Sequence, residues 1–230
     1  MRSVKFTDFA DIIISMKTFV FIDASNLFYG GEKSLGWKID YKKLLEYLKE
    51  KYDANNVFYF GGVEIHSYPY DYQKQETVPI KILKDFLVDL LKNDSDKLDD
   101  STILLIGRHL KRVRFYKKLE EFGYKLFLKP VKLYEQEDDT TKRKANCDVD
   151  MAFHLMKEKD NFDRAVILSG DGDFLPVLKY LKQIDKEVVV LSRGHRTAKE
   201  IKQFAGGKFK DFEYLRELLK MRDKQRKAPI

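Results

Sequence analysis

Aspartates recur in three short stretches of this chain: IDASN, with Asp23 and Asn26; NCDVD, with Asp148 and Asp150; and SGDGDF, with Asp171 and Asp173. A carboxylate that closes an apolar run is costly unless its charge is compensated. Taken singly, each has an ordinary alternative, because Asp23 or Asp173 could cap the helix that follows it. Two acids flanking one glycine are harder to explain that way, since glycine lets the backbone turn so that both side chains face one centre. Three such segments on one edge would repel each other without a divalent cation between them, and hard oxygen donors select Mg2+ or Mn2+. Such a centre activates water and neutralises phosphate oxygens, the chemistry of phosphoester hydrolysis. No serine, cysteine or histidine arrangement suggests a covalent nucleophile, and one cysteine with four histidines offers no zinc cluster.

The elements that must position these acids alternate along the chain. Apolar runs at 18–23 (TFVFID), 164–169 (RAVILS) and 187–191 (EVVVL) read as buried strands. Further strands are expected at 56–65, bulged or interrupted at Gly61-Gly62, at 101–107 (STILLIG) and at 124–134. Helical spacing appears at 40–52, with Asp40 as cap, and at 79–92, 109–122, 147–159 and 173–184. A polar loop is expected at 135–146, and a tail at 197–221 that is helical in parts and broken around Gly206-Gly207. This is the pattern of an α/β fold, a three-layer Rossmann-like and mostly parallel sheet with helices on both faces. Ligands of such sheets bind beyond the carboxyl ends of the strands, where Asp23, Asp171 and Asp173 fall. Within 147–159, Val149, Met151, Ala152, Phe153, Leu155 and Met156 span one apolar arc that includes Asp148. Asp150 and His154 fall on the polar side, so Asp148 is favoured as a ligand and Asp150 is read as solvated.

The chain divides into an N-terminal extension (1–16), one domain (17–220) with an irregular insertion near 66–100, and a basic tail (221–230). Its 230 residues are 43% hydrophobic, which excludes global disorder. No apolar stretch is long enough to span a membrane, and residues 1–16 lack the apolar centre of a signal peptide. With a single cysteine, the reading is a cytoplasmic protein. A net charge of +7 suits a polyanion. Arg193 and Arg196 follow the strand at 187–191, at the same sheet edge as the acids, and are the first candidates for phosphate contacts. Lys142, Arg143 and Lys144 precede Asp148. Arg108, Lys111, Arg112, Arg114 and Lys117 lie along one helix, where a solvated face is the competing reading.

IDASN, KANCDVDMAF and LSGDGDFLPVLKYLK followed by EVVVLS resemble the NYN domains of the LabA-like group, within the PIN-like nuclease superfamily. The resemblance covers about residues 17–217 and is weakest over 66–100. It implies a metal-dependent nuclease acting on RNA, less often DNA. In that reading Asp23, Asp148, Asp171 and Asp173 hold Mg2+ or Mn2+ and carry catalysis, and Asn26 is their polar partner. Arg193, Arg196, Lys144 and Arg112 would contact a single-stranded or structured RNA, and a homodimer is compatible. A further aspartate of many relatives is His154 here, read as an exposed surface histidine. Two other classes stay open: an RNA-binding module of the same fold without catalysis, and a metal-dependent phosphohydrolase acting on a small molecule, although no glycine-rich phosphate loop is present.

Overall fold

The computed structural model describes residues 16–28, 33, 36–93, 98–135 and 141–221. The expected extension up to residue 15 and the tail from 222 onward lie outside the described residues. Strand β1 (Thr18–Asp23) ends in a single helical turn, Ala24–Asn26, and is followed by α1 (Tyr41–Tyr52) and β2 (Ala54–Val63). Then come α2 (Ile80–Asn93), α3 (Asp100–Phe122), β3 (Lys125–Pro130), β4 (Lys132–Glu135), β5 (Thr141–Lys144) and α4 (Asp148–Lys157). The remainder is β6 (Arg164–Leu168), α5 (Leu175–Gln183), β7 (Glu187–Ser192), α6 (Lys199–Ala205), β8 (Phe209–Asp211) and α7 (Arg216–Leu219).

The main sheet has six strands in the order β3-β2-β1-β6-β7-β8. Every pairing in it is parallel. The chain builds outward from β1 through β2 to β3, then returns to the other side of β1 and builds outward through β6, β7 and β8. The order therefore reverses between β1 and β6. Loops leaving the two strands diverge there and open a crevice at their carboxyl ends.

Burial on both faces explains the unbroken apolar character of β1, all six residues of which are buried. Val20 and Ile22, with Val57 and Tyr59 of β2, pack against Leu44, Leu45 and Leu48 of α1, Leu83 and Leu87 of α2, and Val113 and Leu119 of α3. Phe19 and Phe21, with Phe58 and Phe60, pack against Met151 and Leu155 of α4, Leu178 and Leu181 of α5, and Ile201 of α6. Side-chain alternation along each strand thus produces two cores and three layers. Among the described residues, no helix is long and apolar enough to cross a membrane.

Four local expectations are corrected. Residues 101–107 are not a strand but the first turns of the 23-residue α3. Asp99 caps that helix by accepting from Thr102 N at 2.7 Å. The buried positions Ile106, Leu110, Val113 and Tyr116 recur at helical spacing, leaving Leu104 in solvent. The run 124–134 is divided at Val131 into β3 and β4, and β4 pairs antiparallel with β5, so residues 141–144 of the expected polar loop are a strand. Gly61 and Gly62 do not break β2, for they pair in register with Leu128 and Lys129. Within the tail, β8 adds an edge strand beside β7.

Candidate functional site

Asp23 closes β1 at the point where the strand order reverses. It is only 4% exposed. Its Oδ1 accepts from Ser25 N (2.9 Å), Ser25 Oγ (2.7 Å) and Asn26 N (3.1 Å), which makes it the cap of the turn Ala24–Asn26. Its Oδ2 accepts from Ser169 Oγ at 3.2 Å. All of these donors are neutral. Burial therefore outweighs the hydrogen bonds and raises the carboxyl group above the usual carboxylate range.

Ser169, buried at the end of β6, carries the connection to the second acidic segment. It accepts from Asp171 N at 3.3 Å while donating to Asp23. Asp171 Oδ1 in turn accepts from Asp173 N at 3.0 Å and caps the short 3-10 turn Gly172–Phe174. The capping role lies with Asp171, not Asp173, whose side chain is exposed. Asn26 ties a third strand into the rim, since its Oδ1 accepts from Gly170 N (3.1 Å) and Ser192 Oγ (3.4 Å). Gly170 is required by close approach: a Cβ there would lie 2.7 Å from both Ser192 Oγ and Thr197 Oγ1. Ser169, Ser192 and Thr197 are buried polar residues that sequence reading passed over. Their only signal is a hydroxyl directly after a buried strand or inside the loop that follows one. Glu200 was missed as well. Its carboxylate oxygen lies 2.4 Å from where a Cβ of Gly172 would stand, directly over the loop between Asp171 and Asp173.

The third segment approaches along α4. Asp148 is half-buried at its first turn, next to the buried Cys147. The Cys147 thiol is pushed up to about 12, first by burial and then by the negative fields of Asp23, Asp150 and Asp148. The apolar arc expected for this helix is corrected: Val149 (66% exposed) and Phe153 (58%) face outward, while Met151, His154 and Leu155 are buried. At about 100° per residue, Asp148 and Asp150 flank this buried face on opposite sides. Asp150 is not simply solvated, because it pairs with Lys129 of β3 at 2.9 Å. His154 is not a surface residue. It is 6% exposed, its ring centroid is 3.9 Å from that of Phe127, and burial, reinforced by Lys157, lowers its pKa.

The donors suit a hard divalent cation in type, being carboxylate oxygens with hydroxyl and amide support. Capping occupies Oδ1 of Asp23 and of Asp171, and no hydrogen bond reaches Asp171 Oδ2 among the described residues. Among those residues, no three histidine, cysteine, aspartate or glutamate side chains are drawn together closely enough to hold an ion. Asp23 and Asp171 are joined through Ser169, whereas a cage enclosing all four aspartates is not formed.

Of the expected cationic contacts, Arg196 is exposed on the loop after β7. That loop is stitched to the rim by Ala198 N donating to Gly170 O at 2.9 Å. Arg193 is drawn elsewhere, with its guanidinium paired to Glu213 and, at 3.7 Å, to Asp211. The side chain of Lys144 is outside the described residues. Arg112 lines a cavity of about 710 Å³ that opens beside Ser25 and Cys147. Burial would lower its pKa, but the Tyr116 hydroxyl and Glu64 hold it above its ordinary value.

A model of the NYN domain matches residues 17–213. The Low amplitude and bright protein LabA of Synechococcus elongatus is 22% identical over 187 residues, covering 80% of this chain and 77% of LabA. A crystal structure of a protein of unknown function from Vibrio parahaemolyticus superposes with a TM-score of 0.52 at 17% identity, over 83% of this chain and 90% of that one. The fold is thus shared well beyond the range of obvious sequence likeness. The T5 D15 protein, co-crystallised with metal ions, is a looser match, with a TM-score of 0.42 at 14% identity over 81% of this chain and 59% of its own.

Proposed function

Because the chain belongs to the NYN-domain family, we propose that it is a metal-dependent nuclease that hydrolyses phosphodiester bonds, with RNA as its substrate. The observation that carries this reading is a buried carboxylate, Asp23, that no cation pairs with among the described residues. It lies at the point of strand reversal and is linked through Ser169 to Asp171. A charge held in that way is stabilised by a divalent ion far more than a solvated one would be.

Asp23 and Asp171 would hold Mg2+ or Mn2+, and Asp148 and Asp173 would complete the ligand set directly or through water. When bound, the ion supplies a water of lowered pKa and neutralises phosphate oxygens. The protein's share is positioning. The three donors on Asp23 Oδ1 fix its rotamer, and Ser169 orients its second oxygen. Asn26 locks the loops after β6 and β7 to the turn after β1. Arg196 and Arg112 would contact phosphates, as Lys144 would from the hairpin. Arg193 would contribute chiefly by holding its loop against Asp211 and Glu213. The single cysteine fits a cytoplasmic setting.

The test is incubation of pure protein with labelled single-stranded RNA and DNA in Mg2+, Mn2+ or EDTA, alongside Asp171→Asn. Cleavage that needs metal and disappears in the variant is expected. A nucleic-acid-binding module without catalysis is the second reading. It is favoured by the absence, among the described residues, of a closed ligand cage and by the buried His154, at a position where the resemblance implies an aspartate. Binding without cleavage by the wild-type protein in every metal would establish it.

A further inference from the structure

Beside the acidic rim lies a cavity of about 710 Å³, of which the proposed centre draws on only Ser25 and Arg112. Its wall on α3 is formed by Arg108, Lys111, Arg112 and Phe115. These occupy positions i, i+3, i+4 and i+7, a single stripe along one face of the helix. The buried face of α3 is carried by Ile106, Leu110, Val113 and Tyr116, and this stripe is the more exposed face beside it. Here three of its four members are cations and the fourth is a ring. All three cations are exposed, and neither Arg108 nor Lys111 has an ion-pair partner among the described residues.

The floor is the carboxyl half of β2, where Gly61 and Gly62 present backbone in place of side chains. Tyr116 donates to Gly62 O at 2.6 Å and braces that floor. The far wall holds Ser25 and Phe28 from the segment after Asp23, and Cys147, which precedes Asp148. The space is therefore continuous with two of the three acidic segments. Lys38 adds a fourth cation to the lining, against one acid, Glu64. The size is within the range of sites that enclose a small organic group.

We propose that this cavity holds one unpaired nucleotide of the substrate strand, adjacent to the phosphate that lies on the aspartate rim. Its phosphates lie on Arg108, Lys111 and Arg112, and its base lies against Phe115 and Phe28. This assignment rests on the nuclease reading and narrows it to strands that can present an unpaired base. A base inside a duplex is stacked on its neighbours and reaches into a surface recess only after being turned out, at a cost of unstacking and unpairing. A ring paired with cations is the arrangement that grips single strands irrespective of sequence.

The experiment measures fluorescence anisotropy of a labelled 12-nucleotide single strand with the full chain in EDTA, where metal-dependent cleavage is silent. It compares the wild type with Arg108→Gln/Lys111→Gln and with Arg114→Gln/Lys117→Gln, an equal loss of charge from exposed residues of α3 outside the stripe. The first pair is expected to weaken binding tenfold or more. It should also flatten the dependence of log K on log salt by about 1.4, two phosphate contacts at about 0.7 each. The second pair is expected to leave both quantities as in the wild type. Equal losses from the two pairs, no binding by the wild type, or equal affinity for a blunt duplex would each overturn the assignment. So would competition by a free nucleoside monophosphate at equal concentration, which would make the cavity a small-molecule site. If the first pair alone weakens binding while the wild type cleaves nothing in a parallel assay with Mg2+ or Mn2+, the nuclease reading falls and the cavity stands. If the wild type cleaves and the first pair binds normally, the cavity assignment falls alone.

Discussion

Ser169→Ala isolates the link between the two acids that matter most. The hydroxyl donates to Asp23 Oδ2 at 3.2 Å and accepts from Asp171 N at 3.3 Å, while the residue itself is buried. Alanine keeps the Cβ and removes one oxygen, so no cavity of consequence opens. A hydrogen bond to a charged group contributes about 1.5–3 kcal/mol, and the 3.2 Å separation, long for a hydroxyl donor, favours the lower end. With the weaker loss at Asp171 N, the cost with Asp23 ionised is about 1.5–2 kcal/mol, or roughly 3–8 °C in Tm for a domain of this size. The sign of its pH dependence follows from Asp23. Burial already raises the folded-state pKa of that group, so its ionisation destabilises the metal-free fold as pH rises through the raised value. Ser169 favours the charged form, and its removal raises that pKa further. The penalty should therefore be full above the titration of Asp23 and shrink as pH falls through it. Urea unfolding of wild type and variant in EDTA across that range measures both effects. A cost below about 0.5 kcal/mol, within the scatter of surface changes, or one that does not vary with pH, would refute the argument.

Three other substitutions or reagents probe the same rim. Asp23→Asn keeps an acceptor for Ser25 and Asn26 but removes the buried charge; in EDTA at neutral pH its Tm should exceed that of the wild type, and its gain in Tm on adding Mg2+ should be lost, both read by scanning fluorimetry. Gly170→Ala places a Cβ 2.7 Å from two hydroxyls and 2.9 Å from the Thr197 Cα; overpacking of this kind costs about 1–3 kcal/mol, and denaturant unfolding with an unchanged m-value is the expected readout. Cys147, with its thiol pushed up to about 12, should resist iodoacetamide at pH 8 until the chain is unfolded, as mass spectrometry would show; rapid alkylation of the native protein would contradict its burial beside three carboxylates.

Much of this rim was legible in the chain because it sits at the ends of strands buried on both faces. TFVFID, RAVILS and EVVVLS can be read without knowing their neighbours, and Asp23, Asp171 and Asp173 are then positioned by topology. Where only one side of an element is buried, tertiary context decided the outcome. STILLIG has the composition of a strand, yet Asp99 caps it into α3, and Leu104 is left exposed because the helix must turn Ile106 and Leu110 inward. Around α4, the aromatic surface of Phe60 and Phe127 takes in His154 and leaves Phe153 outside, a preference no count of apolar positions contains. The cationic stripe on α3 was ambiguous for a similar reason. Arg108, Lys111 and Arg112 are a solvated face unless something recessed lies opposite, and the residues that line that recess with them come from β2, from the segment after β1 and from the start of α4, distant in the chain.

In the proposed reading, the two aspartates nearest the strand reversal combine a structural duty with a chemical one, and the division falls between their oxygens. Oδ1 of Asp23 caps the turn after β1, and Oδ1 of Asp171 caps the 3-10 turn after β6. Capping fixes each carboxyl plane before any ligand arrives, which reduces the ordering an incoming cation would have to impose. The second oxygens differ in a telling way. That of Asp23 already shares a hydroxyl with Ser169, while that of Asp171 receives no hydrogen bond among the described residues. Partial compensation of this kind leaves Asp23 raised and the metal-free rim less stable than an all-neutral version of it would be. A fold selected for stability alone would place asparagine there, keeping the Ser25 and Asn26 hydrogen bonds without the buried charge. Retaining the acid is costly in isolation and would be favourable with a divalent ion bound, so the direction of the Tm change in Asp23→Asn, with and without Mg2+, separates a metal centre from a mere pair of caps.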